Sequence, residues 1–146
     1  MASVFLSYDR EDTARARPIV AGLEKAGHVV WWDRHIKGGA EYAEEIEQAL
    51  KQCDTVIVLW SENSVKSAWV RDEAAAARDS GKLVPVLLDR IEAPLGFRQL
   101  QNVDLSRWRG RGKPPNLQEI LTSINAFGVE QAKLTASPPI TTDSGR

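Results

Sequence analysis

Short apolar runs punctuate the chain, and helical patterns fill the intervals between them. Residues 3–7 (Ser-Val-Phe-Leu-Ser) are apolar and flanked by polar residues, as a buried strand requires. From 12 to 26, Ile19, Val20, Leu23 and Ala26 recur at helical spacing until Gly27 stops them. Pro18 falls inside this stretch, so either the helix kinks there or its ordered part begins with Pro18 in the first turn. His28 to Trp32 predicts a second strand, Asp33 to Gly39 a loop ending in Gly38-Gly39, and Tyr42, Ile46, Ala49 and Leu50 a second helix. Thr55 to Trp60 is the clearest strand, β-branched and apolar throughout.

Ser61 to Lys66 is a polar loop, after which Ser67 can cap a third helix that runs to about Ser80 and stops at Gly81. Leu83 to Asp89 predicts a fourth strand. Its Pro85 cannot donate to a ladder and should lie near the strand start or at a bulge. Residues 90–103 are irregular and Val103 to Leu105 suits a short fifth strand. Pro114-Pro115-Asn116 introduces a last helix carrying Leu117, Ile120, Leu121, Ile124 and Phe127 on one face, with Gly128 to end it. This β-α-β-α-β-α-β order with continuously apolar strands implies an α/β domain, an open doubly wound parallel sheet with helices on both faces. The tail 129–146, with Ser137-Pro-Pro139 and Thr141 to Gly145, reads as a flexible linker leading towards a partner domain.

Composition narrows the function. The 146 residues carry 19 basic and 20 acidic side chains, a net charge of −1, which argues against a protein built mainly to hold nucleic acid or an anionic membrane. The lone Cys53 excludes an intramolecular disulfide and any zinc site needing several thiolates, and reads as a small packing residue. His28 and His35 have no partners at metal spacing. No signal-type apolar segment opens the chain, and Val56 to Trp60 is far too short to span a bilayer, so a cytoplasmic location is expected.

Ligands of open α/β sheets bind at the carboxyl ends of the strands. The pattern places Ser7 to Asp12 there after strand one, Trp32-Asp33 after strand two, and Trp60-Ser61 after strand three, with Trp69 in the first turn of the next helix. Trp32, Trp60 and Trp69 therefore fall near one rim, either as core aromatics closing the sheet or as faces for a flat cationic ring. Trp31 alternates away from Trp32, and Trp108 reads as packing. The chain has no G-x-x-x-x-G-K-[ST] loop, and no G-x-G-x-x-G follows strand one. A phosphoacceptor receiver domain would need an aspartate where Trp60-Ser61 stands. The basic loop Arg107 to Lys113 encloses a tryptophan, a pattern that suits single-stranded nucleic acid, but it is one short cluster on a neutral domain.

Val4-Phe-Leu-Ser-Tyr8, Val30-Trp-Trp-Asp33 with its glycine loop, Val56-Ile-Val-Leu-Trp-Ser61, Ser67-Ala-Trp-Val-Arg-Asp-Glu73 through Gly81-Lys-Leu-Val-Pro-Val86, and Asp104-Leu105 with Trp108 resemble, in order, the boxes of a TIR (Toll/interleukin receptor) domain. The resemblance covers about residues 3–127, is closest to bacterial members, and implies a flavodoxin-like doubly wound sheet of about five parallel strands within a domain spanning 1–128. Members with the W-x-x-x-E pattern are NAD⁺ glycohydrolases, some of which cyclise their product. For this chain the resemblance implies a catalytic Glu73 and a substrate cleft lined by Tyr8, Asp9, Arg10, Trp32, Asp33, Ser61 and Trp69. Arg10 would meet the pyrophosphate or stand as a solvated loop arginine, and Asp33 would contact the ligand or cap its loop. The resemblance further implies a BB loop at Ile36, Lys37, Gly38 and Gly39 that mediates self-association with other TIR domains, no metal and no cofactor beyond NAD⁺ as substrate. Its setting would be bacterial defence or interference with host signalling.

Local physics is compatible with this implication. Trp69 and Glu73 lie four apart on a helix and share a face, while Asp72 is rotated about 100° away. Nicotinamide leaves NAD⁺ as a neutral molecule, so no general acid is needed. One carboxylate can stabilise the oxocarbenium-like ribose by charge, by hydrogen bonding or by covalent attack. The alternative is a TIR scaffold that binds other TIR domains without catalysis.

Overall fold

The computed structural model describes residues 2–32 and 39–136, with side chains described over 2–32 and 44–126. Five parallel strands, β1 (Ser3–Ser7), β2 (Val29–Trp31), β3 (Thr55–Trp60), β4 (Leu83–Leu87) and β5 (Val103–Asp104), form one sheet in the order β2-β1-β3-β4-β5. Among the described residues, four α-helices connect and follow them: α1 (Thr13–Lys25), α2 (Gly39–Gln52), α3 (Ala68–Asp79) and α4 (Leu117–Ala136). This is the flavodoxin-like doubly wound fold, and strand order reverses between β1 and β3.

Strand alternation divides the core between the two faces of the sheet. Val4, Leu6, Ile57, Leu59, Val84 and Val86 pack against Ile19, Val20 and Leu23 of α1 and Leu117, Ile120 and Ile124 of α4. On the other face, Phe5, Val56, Val58 and Trp60 meet Ile46 of α2 and Val70, Ala74 and Ala77 of α3. All six residues of β3 are buried, as its unbroken apolar run predicts. Trp60 consequently belongs to the core and not to the cleft rim: it is fully buried, with its ring edge-on to Phe97 at 5.2 Å. Trp31 stacks on Phe5 at 5.1 Å, and buried Trp108 donates its Nε1–H to the Arg111 carbonyl at 3.0 Å.

Several boundaries depart from the periodicity. A 3-10 turn at Arg10–Asp12 leads into α1, which starts five residues before Pro18 and takes the proline inside it. Pro85 lies in the middle of β4, paired with Val58. Leu88 donates its amide to Trp60, so even-numbered residues of β4 face β3, while Leu87 accepts from Leu105 on the other side. The missing N–H of Pro85 therefore points away from β3, towards a β5 that pairs only with Val86 and Leu87, and no ladder bond is lost. Helix α4 crosses Gly128 and reaches Ala136. One glycine costs about 1 kcal/mol in a helix, and Val129 to Ala136 contains neither glycine nor proline. The first part of the segment read as a linker is thus helical, while residues 137–146 lie outside the described residues. No described helix is long and apolar enough to cross a membrane.

Candidate functional site

Ser67 builds the start of α3. Its Oγ accepts the Val70 amide at 3.2 Å, which satisfies one of the helix's free N–H groups and sets the rotation of the first turn. Val70, Glu73, Ala74 and Ala77 then face the sheet at helical spacing. Alanine at 74 and 77 leaves room for a close approach, and Glu73 is carried into the seam between α3 and β1, where it is only 4% exposed.

On the strand side, the period-two alternation that points Phe5 at α3 points Ser7 there as well. The Ser7 Oγ–H donates to Glu73 Oε1 at 2.7 Å, with both groups buried. The pair stands at the carboxyl end of β1, beside the β1–β3 reversal where ligands of such sheets bind. Asp72, next in sequence, is exposed and directed elsewhere. Trp69, one turn before Glu73, is 51% exposed and presents a large apolar surface beside the seam.

The other residues expected at the cleft divide into groups. Tyr8 packs with Trp32 at 6.0 Å between ring centroids and donates its hydroxyl to the Trp32 carbonyl at 3.0 Å, while the Arg17 guanidinium lies 5.7 Å from the Trp32 ring. Both aromatics pack against the core on the α1 side of the sheet. Asp9 caps the 3-10 turn by accepting the Glu11 amide at 2.9 Å, and Arg10 is exposed on that turn. Ser61 is fully buried. Its hydroxyl donates to Asp12 Oδ2 at 2.5 Å and accepts the amides of Asn63 and Ser64, which is the geometry of a loop anchor. Asp33, Ile36, Lys37 and Gly38 lie outside the described residues, as does His35, and Gly39 is the first residue of α2.

Two roles escaped the sequence reading. One is that of Ser7, which was placed at the carboxyl end of strand one but given no partner. The other is that of a charge cluster beneath the loop after β3. Arg15 joins Asp12 at 2.8 Å and Asp89 at 2.9 Å, Asp12 also accepts from Asn63 at 3.0 Å, and Asp89 accepts the Glu62 amide at 2.9 Å. Hydrogen bonding to Asp89 raises the Arg15 pKa above its ordinary value, and the same bond holds the Asp89 carboxyl below the usual carboxylate range. Burial pushes the Cys53 thiol up, consistent with an inert packing role. Among the described residues, no group of three or more His, Cys, Asp or Glu is arranged to hold a metal.

Comparison with known proteins agrees with this architecture. A family profile described as TIR domain matches residues 4–121. The chain belongs to the TIR domain family. No curated protein matches it. Among solved structures, the TIR domain of the Toll-related receptor TRR-2 from Hydra magnipapillata aligns at a TM-score of 0.68 and 21% identity, over 84% of this chain and 97% of that one. The TIR domains of the activated Roq1 resistosome, which directly recognises the pathogen effector XopQ, align at 0.51 and 17% identity, over 99% and 87%. A 2-deoxyribosyltransferase from Bacillus psychrosaccharolyticus aligns at 0.54 and 16%, over 64% and 78%. These likenesses are of fold.

Proposed function

We propose that this TIR domain is an NAD⁺ glycohydrolase with Glu73 as its catalytic carboxylate. The observation that carries the reading is a carboxylate 4% exposed, hydrogen-bonded to Ser7, at the carboxyl edge of the sheet where strand order reverses. Burying a carboxylate is costly unless hydrogen bonds or charges compensate it, and such groups cluster at functional sites. The half-exposed Trp69, one turn away, offers a face on which a nicotinamide ring stacks. In the reaction the bond between ribose C1′ and the nicotinamide nitrogen breaks, and its electron pair leaves with neutral nicotinamide. The Glu73 carboxylate stabilises the positive charge developing on the ribose. Water then adds at C1′ and releases a proton to give ADP-ribose, or an internal nucleophile closes a cyclic isomer. Tyr8, Asp9, Arg10, Trp32, Asp33 and Ser61 complete the proposed cleft, Ser61 by holding the loop after β3. Self-association with other TIR domains through the loop at Ile36 to Gly39 is part of the proposal, as is a role in immune signalling.

A second reading rests on the same hydrogen bond. Ser7–Glu73 also ties α3 to β1, a purely structural duty in a TIR scaffold that binds partners without catalysis. Incubating concentrated protein with NAD⁺, with and without a crowding agent, separates the two. The glycohydrolase releases nicotinamide, and Glu73→Gln, which keeps shape and hydrogen bonding, abolishes release while retaining its circular dichroism spectrum. No release from the wild type in any assembled state leaves the scaffold. Full activity in Glu73→Gln removes Glu73 from the chemistry.

A further inference from the structure

The basic loop 107–113 plays no part in the Glu73 seam, and the structure gives it a separate place. At the carboxyl ends of β4 and β5 lies a cavity of about 680 Å³, within the range of small-molecule sites. Leu88 and Trp108 in its wall belong to the core on the α1 and α4 face of the sheet, whereas Glu73 projects from α3 on the opposite face. Arg90, Arg107 and Arg109 line the cavity. Among the described residues none of these three guanidiniums makes a hydrogen bond or an ion pair.

The backbone that carries them is fixed. Trp108 is buried and its indole N–H is bonded to the Arg111 carbonyl. Gly110 has a φ of +90°, and a Cβ there would lie 2.9 Å from Cγ of Arg15, so the loop is pressed onto α1 at a point only glycine permits. Arg15 is itself held by Asp12 and Asp89. The acidic groups nearby are mostly engaged. Asp89 is occupied by Arg15 and the Glu62 amide, and Asp104 accepts the Ser106 amide at 2.9 Å, with Ser106 lowering its pKa more than Arg107 and Arg90 do. The Glu62 carboxylate is the one acidic group lining the cavity with no partner among the described residues.

We propose that this cavity is a second ligand site, which binds a phosphate-bearing anion of the diphosphate type on the guanidiniums of Arg90, Arg107 and Arg109. Guanidinium forks match phosphate oxygens bidentately. Three arginines lining one hollow suit a ligand with several negative charges. Single-stranded nucleic acid is disfavoured, because the tryptophan that would stack its bases is buried.

Isothermal titration of the full chain at low salt tests this, with inorganic pyrophosphate, ADP and an oligothymidylate as the three probes. Pyrophosphate is expected to bind saturably at one site, and more weakly as salt rises. The Arg107→Ala/Arg109→Ala variant is expected to bind it at least tenfold more weakly, and Glu62→Gln severalfold more tightly. Both changes lie on exposed side chains, and circular dichroism checks the fold. Lys51→Ala and Glu73→Gln should bind as the wild type does. ADP binding more tightly than pyrophosphate identifies a nucleotide, and equal affinities identify the phosphates alone. The proposal is overturned by an absence of saturable binding, by an affinity indifferent to the arginine and Glu62 changes, or by tight oligothymidylate binding without pyrophosphate binding.

Discussion

Replacing Arg15 by methionine probes the cluster beneath the loop that leads into α3. The change keeps most of the apolar stem of the side chain and removes the guanidinium, and with it both ion pairs. Asp12 is 1% exposed, Asp89 24% and Arg15 21%, so the two pairs differ in worth. Stranding a fully buried carboxylate costs about 3–5 kcal/mol. Asp12, however, keeps the Ser61 hydroxyl and the Asn63 amide as donors, which offsets part of that. The Asp89 pair is partly screened by water and adds roughly 1 kcal/mol or less. The sum is about 2–4 kcal/mol, and for a chain of this size that lowers Tm by roughly 5–15 °C. Thermal and urea unfolding followed by circular dichroism measure it, with Lys51→Met as the exposed control.

Acid adds a second axis to the same experiment. Because the folded Asp89 carboxyl titrates below its unfolded value, its contribution is complete above the unfolded pKa of about 3.9 and is lost as pH falls through the folded value. Arg15, raised above an already high value, stays charged across the neutral range. The stability gap between wild type and Arg15→Met should therefore be flat from pH 6 to 8 and narrow below about pH 4. Asp12→Asn/Arg15→Met, which removes the stranded charge, should regain about 1 kcal/mol or more over Arg15→Met alone. A single variant as stable as Lys51→Met, or a double variant no better than the single, refutes the reasoning.

Two further outcomes follow from contacts in the seam and between helices. On the proposed glycohydrolase reading, Ser7→Ala should lower kcat for NAD⁺ about 10–100-fold with little change in KM, because the carboxylate loses a donor that orients it; a kcat within twofold of wild type removes that role. It should also cost about 1–3 kcal/mol in urea unfolding, a readout that does not depend on catalysis. Gly22→Ala should destabilise by about 1 kcal/mol despite a helix-propensity gain of about 1 kcal/mol. The new methyl would lie 2.6 Å from Cδ2 of Leu117 on α4, and a rise in Tm would show that Leu117 moves aside freely.

Features set by neighbours in the chain were legible, and features set by contacts across the fold were not. The run Thr55–Trp60 announces a strand because Thr55 is β-branched and the five residues after it are apolar, and Ser67 announces a helix start because capping needs only the next three residues. The same uniformity hid the fate of Trp60, since a strand buried on both faces gives no alternation to separate core from rim. Pro85 was misplaced within β4 because its tolerance depends on the shortness of β5, which local pattern does not reveal. The role of Ser7 was not legible because its partner lies 66 residues away, nor that of Asp89 because Arg15 is 74 residues distant. The Glu73 assignment came from a motif, and periodicity placed it on the Trp69 side of α3 without saying how deeply it is buried.

The 66-residue span of the Ser7–Glu73 bond also bears on how the chain is made. β1 leaves the ribosome long before α3 exists, and in the folded domain α3 packs on β1, β3 and β4 together. The seam is a non-local closure that no early fragment can form alone. A half-synthesised or truncated polypeptide ending before α3 therefore carries Ser7 without Glu73. The seam itself forms only once most of the sheet has assembled, so any function that depends on it waits for completion of the fold.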